Sequence, residues 1–274
     1  MSGSVDRVIV SLDAASDDRM VLDTAARVAA HLKVPLHGIF VEDEDILHLA
    51  ALPFARQVTP LAGAQPFTSE QAHLQLRAAA DRARRELTIA AKRHRVKHSF
   101  EIITDGAQNA LSAATDSDVV VVGAETRPVA GHFRVERRWS AWLANAPGPF
   151  LLARHSWAEA GLVVALLRDR TPSSVRLLAT AGYLAAARDS RLTVICAAAL
   201  VSKAGFMDWL NGKLATLPVH AEIEIAAAAS GTLHERLLQL QCRLLAVEMD
   251  EAERFDERLT DLARRFSCDI LVIR

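Results

Sequence analysis

The amino-acid sequence predicts an α/β protein of two tandem domains, each a five-stranded parallel sheet covered by helices. Short β-branched runs alternate with segments of helical periodicity, and the whole alternation occurs twice. The composition is 51% hydrophobic but only 5% aromatic, with abundant alanine, which suits helices packed on a sheet better than a β-sandwich. The length of 274 residues leaves room for two domains of moderate size.

Each element of the first half follows from a local pattern. Residues 7–13 form a β-branched run typical of a buried strand, and apolar residues at helical spacing predict a helix over 20–32. A long helix over 69–94 is predicted to end in basic residues, which suit the helix dipole. Residues 44–67 contain three prolines and are expected to be less regular. The other predicted elements are strands at 36–41, 99–104, 118–123 and 150–153 and short helices at 107–115 and 138–144.

The second half repeats this order of strands and helices with almost no identical residues. Pro172 lies where proline favours the first turn of a helix. We predict domains at 1–155 and 160–274, joined near residues 155–160. The predicted elements are strands at 161–167, 192–198, 219–226, 244–249 and 269–273, helices at 172–187, 233–241 and 251–265, and a helical or irregular link at 203–217.

Charge and composition argue against several classes of partner. The formal net charge is −1, so no overall field attracts nucleic acid or an anionic membrane. The three cysteines are widely spaced and are interpreted as ordinary buried thiols, without a disulfide framework or a metal site. No targeting pattern precedes the first strand, and no apolar run approaches about 20 residues. We therefore expect a cytoplasmic protein with no nucleic-acid or membrane partner.

The strand at 118–123 ends in Gly123 and opens toward a helix. In α/β proteins such a turn often holds a phosphate on bare backbone N–H groups. Here the loop that follows carries side chains such as Thr126 and Glu136. The pattern indicates a nucleotide-binding scaffold whose phosphate-binding turn has been altered.

The chain resembles the universal stress protein family in its tandem form, with Rossmann-like domains of the adenine nucleotide alpha hydrolase type. The matching marks are residues 7–13, with a terminal Asp, 40–42, 104–106, 118–123 and the proline-containing stretch 145–152. The resemblance covers residues 5–154 as one copy and 161–274, more loosely, as a second. It implies that strands 150–153 and 269–273 pair, forming a pseudo-dimer inside one chain.

In ATP-binding members of this family, the fourth strand is followed by Gly, two residues, Gly, nine residues, then Gly and a small hydroxyl residue. The resemblance places Gly123, Thr126, Glu136 and Arg137 at those positions. It implies weak or absent ATP binding, because side chains block the backbone and a carboxylate faces the phosphates. In the second copy, residues 247–250 contain no glycine, and Asp169 alone matches the Asp of the first strand.

The residual pocket of the first half is therefore assigned to Asp13, Val41, Gly123, Thr126 and Arg137, with no catalytic residue and no metal ligand. Asp13 could equally cap a helix. No cofactor is expected, although ATP or AMP stays open at this pocket. The arginines of residues 127–138 either bind another anion or, beside two glutamates, form a self-neutralised surface.

Two other segments have alternative readings. The basic residues of 92–98 either end a helix or contact nucleic acid, and the helix end is favoured. The apolar segment 46–55 could be a lid over the pocket, a partner-binding surface or part of the core.

We expect a non-enzymatic stress-response or regulatory protein that acts on an unidentified protein partner. The alternative is a sensor of AMP, ATP or a small anion that uses the modified first pocket. ATP hydrolysis or adenylation is disfavoured because no catalytic motif is visible. The sequence leaves open whether two chains pair again as a homodimer.

Overall fold

A computed structural model of the chain describes residues 5–12, 19–42, 44–59, 63–104, 109–123, 139–154, 161–226, 233–249 and 268–274. The elements of the first half are β1 Arg7–Leu12, α1 Arg19–Leu32, β2 Leu36–Val41, α2 Glu44–Ala50, β3 Arg56–Thr59, β4 Gly63–Pro66, α3 Ser69–Arg93, β5 His98–Ile103, β6 Asp118–Gly123, α4 Trp139–Asn145 and β7 Phe150–Ala153.

The segment 44–67, expected to be less regular than the rest, has more regular structure than predicted. It contains the helix α2, which lies against α3, and an antiparallel hairpin of β3 and β4. The helix expected over 107–115 is described only from residue 109, where Ser112 donates its N–H to the Asn109 carbonyl at 3.2 Å. The prolines of this segment predict irregular structure. Pro66, however, lies in β4, a short strand that is described as pairing with β3 alone, and proline is tolerated in such an edge strand.

The elements of the second half are β8 Leu162–Leu167, α5 Pro172–Ala187, β9 Leu192–Ala197, α6 Ala198–Val201, α7 Phe206–Leu214, β10 Ala221–Ala226, α8 Leu233–Gln239, β11 Cys242–Glu248 and β12 Asp269–Ile273. The predicted link at 203–217 is helical over α7. The helix predicted at 251–265 lies outside the described residues. None of the described helices is both long and apolar enough to span a membrane.

Ten strands form one continuous sheet in the order β10-β9-β8-β11-β12-β7-β6-β1-β2-β5. Within each half of this sheet every described pairing is parallel, and the order in space is third, second, first, fourth, fifth strand of the sheet. The halves meet where β7 and β12 pair antiparallel. These pairings confirm the predicted fold class of two five-stranded, doubly wound units.

Helices cover both faces of this sheet and bury two apolar layers. One layer lies under α1, α3, α5 and α7 and runs through both halves, since α1 also contacts α5. The other lies under α4 and α8 and includes Trp142, which is 5% exposed. Gly38 allows α3 to lie close to β2, because a Cβ there would be 2.6 Å from Leu87 Cδ2.

The junction between the halves is buried and includes an ion pair. Three residues of β7 face three of β12, and all six are at most 1% exposed. At the start of β12, Asp269 pairs with the Arg188 guanidinium, and both side chains are buried. Asp269 Oδ1 also accepts the Arg154 N–H at 2.7 Å. The Arg274 guanidinium donates to the carbonyls of Ala144 and Ala146 at 3.3 and 3.2 Å, so residues of both halves bond across the junction.

A second polar cluster joins α1 to the end of α3. Asp23 accepts from Arg27 at 2.8 Å, from His94 at 2.8 Å and from Arg93 at 3.4 Å. Burial opposes ionisation of this carboxyl, but the bonds from His94 and Arg27 outweigh it and hold the Asp23 pKa below its ordinary value. The basic run at 92–98 thus supplies two side chains to a contact between helices.

We predict that Asp269→Ala lowers the free energy of unfolding by about 3–5 kcal/mol, because the buried Arg188 charge loses its partner. Glu222→Ala is the matched control: it breaks the exposed Arg191–Glu222 pair, so the loss should be below about 1 kcal/mol. Urea unfolding followed by circular dichroism measures both. If Asp269→Ala does not fold, Arg188→Leu with Asp269→Leu should recover folded protein. Equal losses in the two single variants would contradict this account.

We predict that the stabilisation by Asp23 depends on pH. The folded-state pKa is depressed, so the contribution is complete above the ordinary value of 3.8 and is lost as pH falls through the folded-state pKa. Asp23→Asn should therefore lower the free energy of unfolding by about 1–3 kcal/mol at neutral pH. The difference from the parent should shrink below pH 3.8.

Urea titrations at a series of pH values measure the Asp23 effect. Asp81→Asn, on the exposed face of α3, is the control and should follow the parent at every pH. A difference for Asp23→Asn that stays constant into strong acid would show that the carboxylate charge is not the cause.

Candidate functional site

The first candidate site is a crevice at the carboxyl ends of β1 and β6. From β1 the chain runs outward to β2 and β5, whereas β6 and β7 lie on the other side. Ligands of open α/β sheets bind at such a reversal of strand order. Val10 pairs with Val121, so Leu12 and Gly123 lie level at the carboxyl edge. The corresponding crevice of the second half lies between β8 and β11.

Two of the five predicted pocket residues lie at this edge. Gly123 is the last residue of β6 and Val41 the last of β2, and β1 lies between the two strands. Two strand spacings separate them by about 10 Å. Asp13, Thr126 and Arg137 lie outside the described residues. Their assignment to the pocket therefore stays a prediction.

The crevice of the second half has a carboxyl group where the first half has a glycine. Val247 pairs with Leu166, so Glu248 lies level with Leu167 as Gly123 lies level with Leu12. Burial raises the pKa of Glu248, and the Asp169 charge raises it further. The Ser174 hydrogen bond and the Arg168 charge lower this pKa but do not outweigh burial. Within the described part of the chain, Glu248 Oε1 is buried without a hydrogen-bond partner.

At the start of α5, beside this crevice, several backbone N–H groups are bonded within the chain itself. Thr171 caps the helix: its Oγ1 accepts the Ser174 N–H at 3.0 Å, and its own N–H donates to Ser174 Oγ at 3.1 Å. Pro172 has no N–H, and the Val175 N–H donates to the Thr171 carbonyl at 3.3 Å. N–H groups at a helix start are donors that can bind a phosphate. Here those of Thr171, Ser174 and Val175 are already bonded within the chain.

Charged side chains at the mouth of the second crevice contact one another. Lys203 Nζ donates to Asp169 Oδ1 at 3.1 Å, and both side chains are 57% exposed. The Arg170 N–H donates to the same oxygen at 2.8 Å, and this bond, followed by that of Lys203, lowers the pKa of Asp169. The Arg170 guanidinium lies 5.5 Å from the Trp209 ring centroid. Asp169 therefore belongs to a neutralised surface cluster.

Sequence reasoning missed a Ser–His–Glu chain across β2 and β5. His37 Nδ1 lies 2.7 Å from Ser99 Oγ, and His37 Nε2 lies 3.4 Å from Glu101 Oε2. Burial and the Arg7 charge lower the pKa of His37. In serine hydrolases the carboxylate faces Nδ1 and the serine faces Nε2, which is the reverse of this arrangement. We interpret the chain as a cross-strand contact, which only the strand register could reveal.

A groove of about 460 Å³ opens at the opposite, amino-terminal edge of the second half. Its lining includes Gly161, Arg188, Arg191 and Gln241. Arg188 is paired with Asp269 and Arg191 with Glu222. Both arginines are therefore already in ion pairs and do not mark the groove as an anion site.

The apolar segment 46–55 is partly exposed. Leu49 is 37% exposed, Leu52 40% and Phe54 76%. A solvent-exposed aromatic side chain with exposed apolar neighbours is typical of interaction surfaces. Of the three interpretations of this segment, burial in the core does not apply to these side chains.

Comparisons with known proteins identify the fold. Neither the search of protein-family models nor the search of curated proteins gave a match. A universal stress protein from Archaeoglobus fulgidus DSM 4304 superposes with a TM-score of 0.64 at 12% identity, over 99% of this chain and 97% of that one. A protein of unknown function from Pseudomonas aeruginosa PAO1 gives 0.59 at 13% identity, over 99% and 93%. The chain thus has the tandem universal stress protein fold along its whole length.

Proposed function

We propose that this chain is a non-enzymatic regulatory protein of the universal stress protein type, which acts through protein contacts and binds ATP weakly or not at all. The observation that carries the proposal is Glu248 at the end of β11, level with Leu167. A phosphate in the second crevice would meet a carboxyl group and a helix start at which the Thr171, Ser174 and Val175 N–H groups are already bonded. The Glu248 side chain occupies space beside the backbone, and in its ionised form it also repels a triphosphate.

The sequence of the first half supports the same conclusion. Thr126 and Glu136 stand where the resemblance places two of the glycines of ATP-binding members. A side chain at such a position prevents the backbone from approaching a phosphate. The exposed apolar side chains of the segment 46–55 support an action through protein contacts.

We predict that calorimetric titration of the parent chain with Mg-ATP shows no saturable heat at micromolar concentrations. Restoring both glycines, as Thr126→Gly with Glu136→Gly, should strengthen ATP binding at least about tenfold, which corresponds to 1.4 kcal/mol. Adding Asp13→Ala to that variant should abolish the gain.

A control variant tests whether removing a negative charge far from the crevice changes ATP affinity. Asp81→Asn removes one negative charge from the exposed face of α3 and should leave ATP affinity unchanged. Micromolar ATP binding by the parent chain would overturn the proposal. Binding of AMP or phosphate that Asp13→Ala abolishes in the parent chain would favour the sensor instead.

A further inference from the structure

Two of the three cysteines lie side by side at one end of the second half. Cys242 is the first residue of β11, and Cys268 directly precedes β12. The two strands are parallel neighbours, with Leu244 paired to Asp269. Both cysteines pack against the apolar layer under α4 and α8, so their side chains share one face of the sheet. The third, Cys196, lies on β9 in the layer on the opposite face.

The two thiols influence each other's ionisation. The interaction with the neighbouring thiol is the main cause that lowers the pKa of Cys268 and raises that of Cys242. Burial and Asp269 act against the decrease at Cys268, while the Arg154 charge favours it. By contrast, burial alone raises the pKa of Cys196 to about 11. Thiolate character is therefore greatest at Cys268.

A small oxidant can approach this pair from the side of Cys242. Cys242 is partly exposed, whereas Cys268 is 3% exposed. The groove of about 460 Å³ is lined by Gln241, which directly precedes Cys242, and by Arg188, whose charge acts on Cys242. The groove therefore lies next to Cys242 in the sequence, although neither thiol is part of its lining.

We propose that Cys242 and Cys268 form a hydroperoxide-responsive dithiol that closes to an intrachain disulfide, a property separate from the proposed function. Continuing the register from Leu244 and Asp269 puts Arg243 level with Cys268, so Cys242 is offset by one residue. A strand spacing of about 4.8 Å and a rise of about 3.3 Å per residue give a Cα separation of about 6 Å, within the roughly 4.4–6.8 Å of disulfide-bonded cysteines. The bond can therefore form while β11 and β12 stay paired.

The chemistry balances with hydrogen peroxide as the oxidant. The Cys268 sulfur attacks one peroxide oxygen, the O–O bond breaks, and the departing hydroxide takes up the thiol proton as water. Cys268 is then a sulfenic acid. The Cys242 sulfur attacks that sulfur, the S–O bond breaks, and the hydroxyl leaves with the Cys242 proton as a second water. Two thiols and one hydrogen peroxide give one disulfide and two waters.

Intact-mass and peptide mapping of the full chain after hydrogen peroxide treatment tests this proposal. We expect the monomer to lose about 2 Da, the mass of the two thiol hydrogens. Trypsin should then release peptide 237–243 linked to peptide 266–274, which contain Cys242 and Cys268. Reduction with dithiothreitol should restore both masses.

Single variants give the control. Cys196→Ala should leave the linkage unchanged, and Cys268→Ser should abolish it. In Cys242→Ser, dimedone should label Cys268, because the sulfenic acid has lost its resolving thiol. Absence of the linked peptides in the parent chain, a link between two chains, or a link through Cys196 would overturn the proposal.

Discussion

The antiparallel pairing of β7 with β12 is the contact on which the rest of the structure depends. Each half alone would end in an apolar strand with unpaired N–H and C=O groups, which is an aggregation hazard. Pairing the two strands removes both edges and creates one ten-stranded sheet. Asp269 then lies where the halves meet, buried between Arg188 and the Arg154 backbone. The helix α5, which ends before Arg188, is thereby tied to the junction.

The two crevices show how one scaffold can diverge. Strand order places Gly123 and Glu248 at equivalent points of the two halves, level with the end of the first strand in each. A glycine leaves the backbone accessible to a ligand, whereas a half-buried carboxyl group fills space and, when ionised, disfavours an anion. The Ser174 hydrogen bond and the Arg168 charge favour the ionised form of Glu248, whereas burial and the Asp169 charge oppose it.

Much of the fold could be predicted from the sequence, because local patterns encode it. The valines of β6 and the apolar run of β8 leave no alternative to buried strands. The hairpin of β3 and β4 could not be predicted, since both strands have only four residues and carry no apolar periodicity. In the candidate site, the positions of Val41 and Gly123 at the carboxyl edge of the sheet follow from the order of the strands. The Lys203–Asp169 pair was not, since it joins residues 34 positions apart through the conformation of a loop.

The carboxyl group of Glu248 also bears on how many equivalent ligand sites one chain can offer. An assembly of two identical single-domain subunits carries two equivalent crevices, and communication between them can make a saturation curve sigmoidal. In this chain the two crevices are chemically unlike. A small molecule that fits beside Gly123 would occupy one place per chain, so its saturation curve for an isolated chain would be hyperbolic. Any sigmoidal response would have to arise from contacts between separate chains.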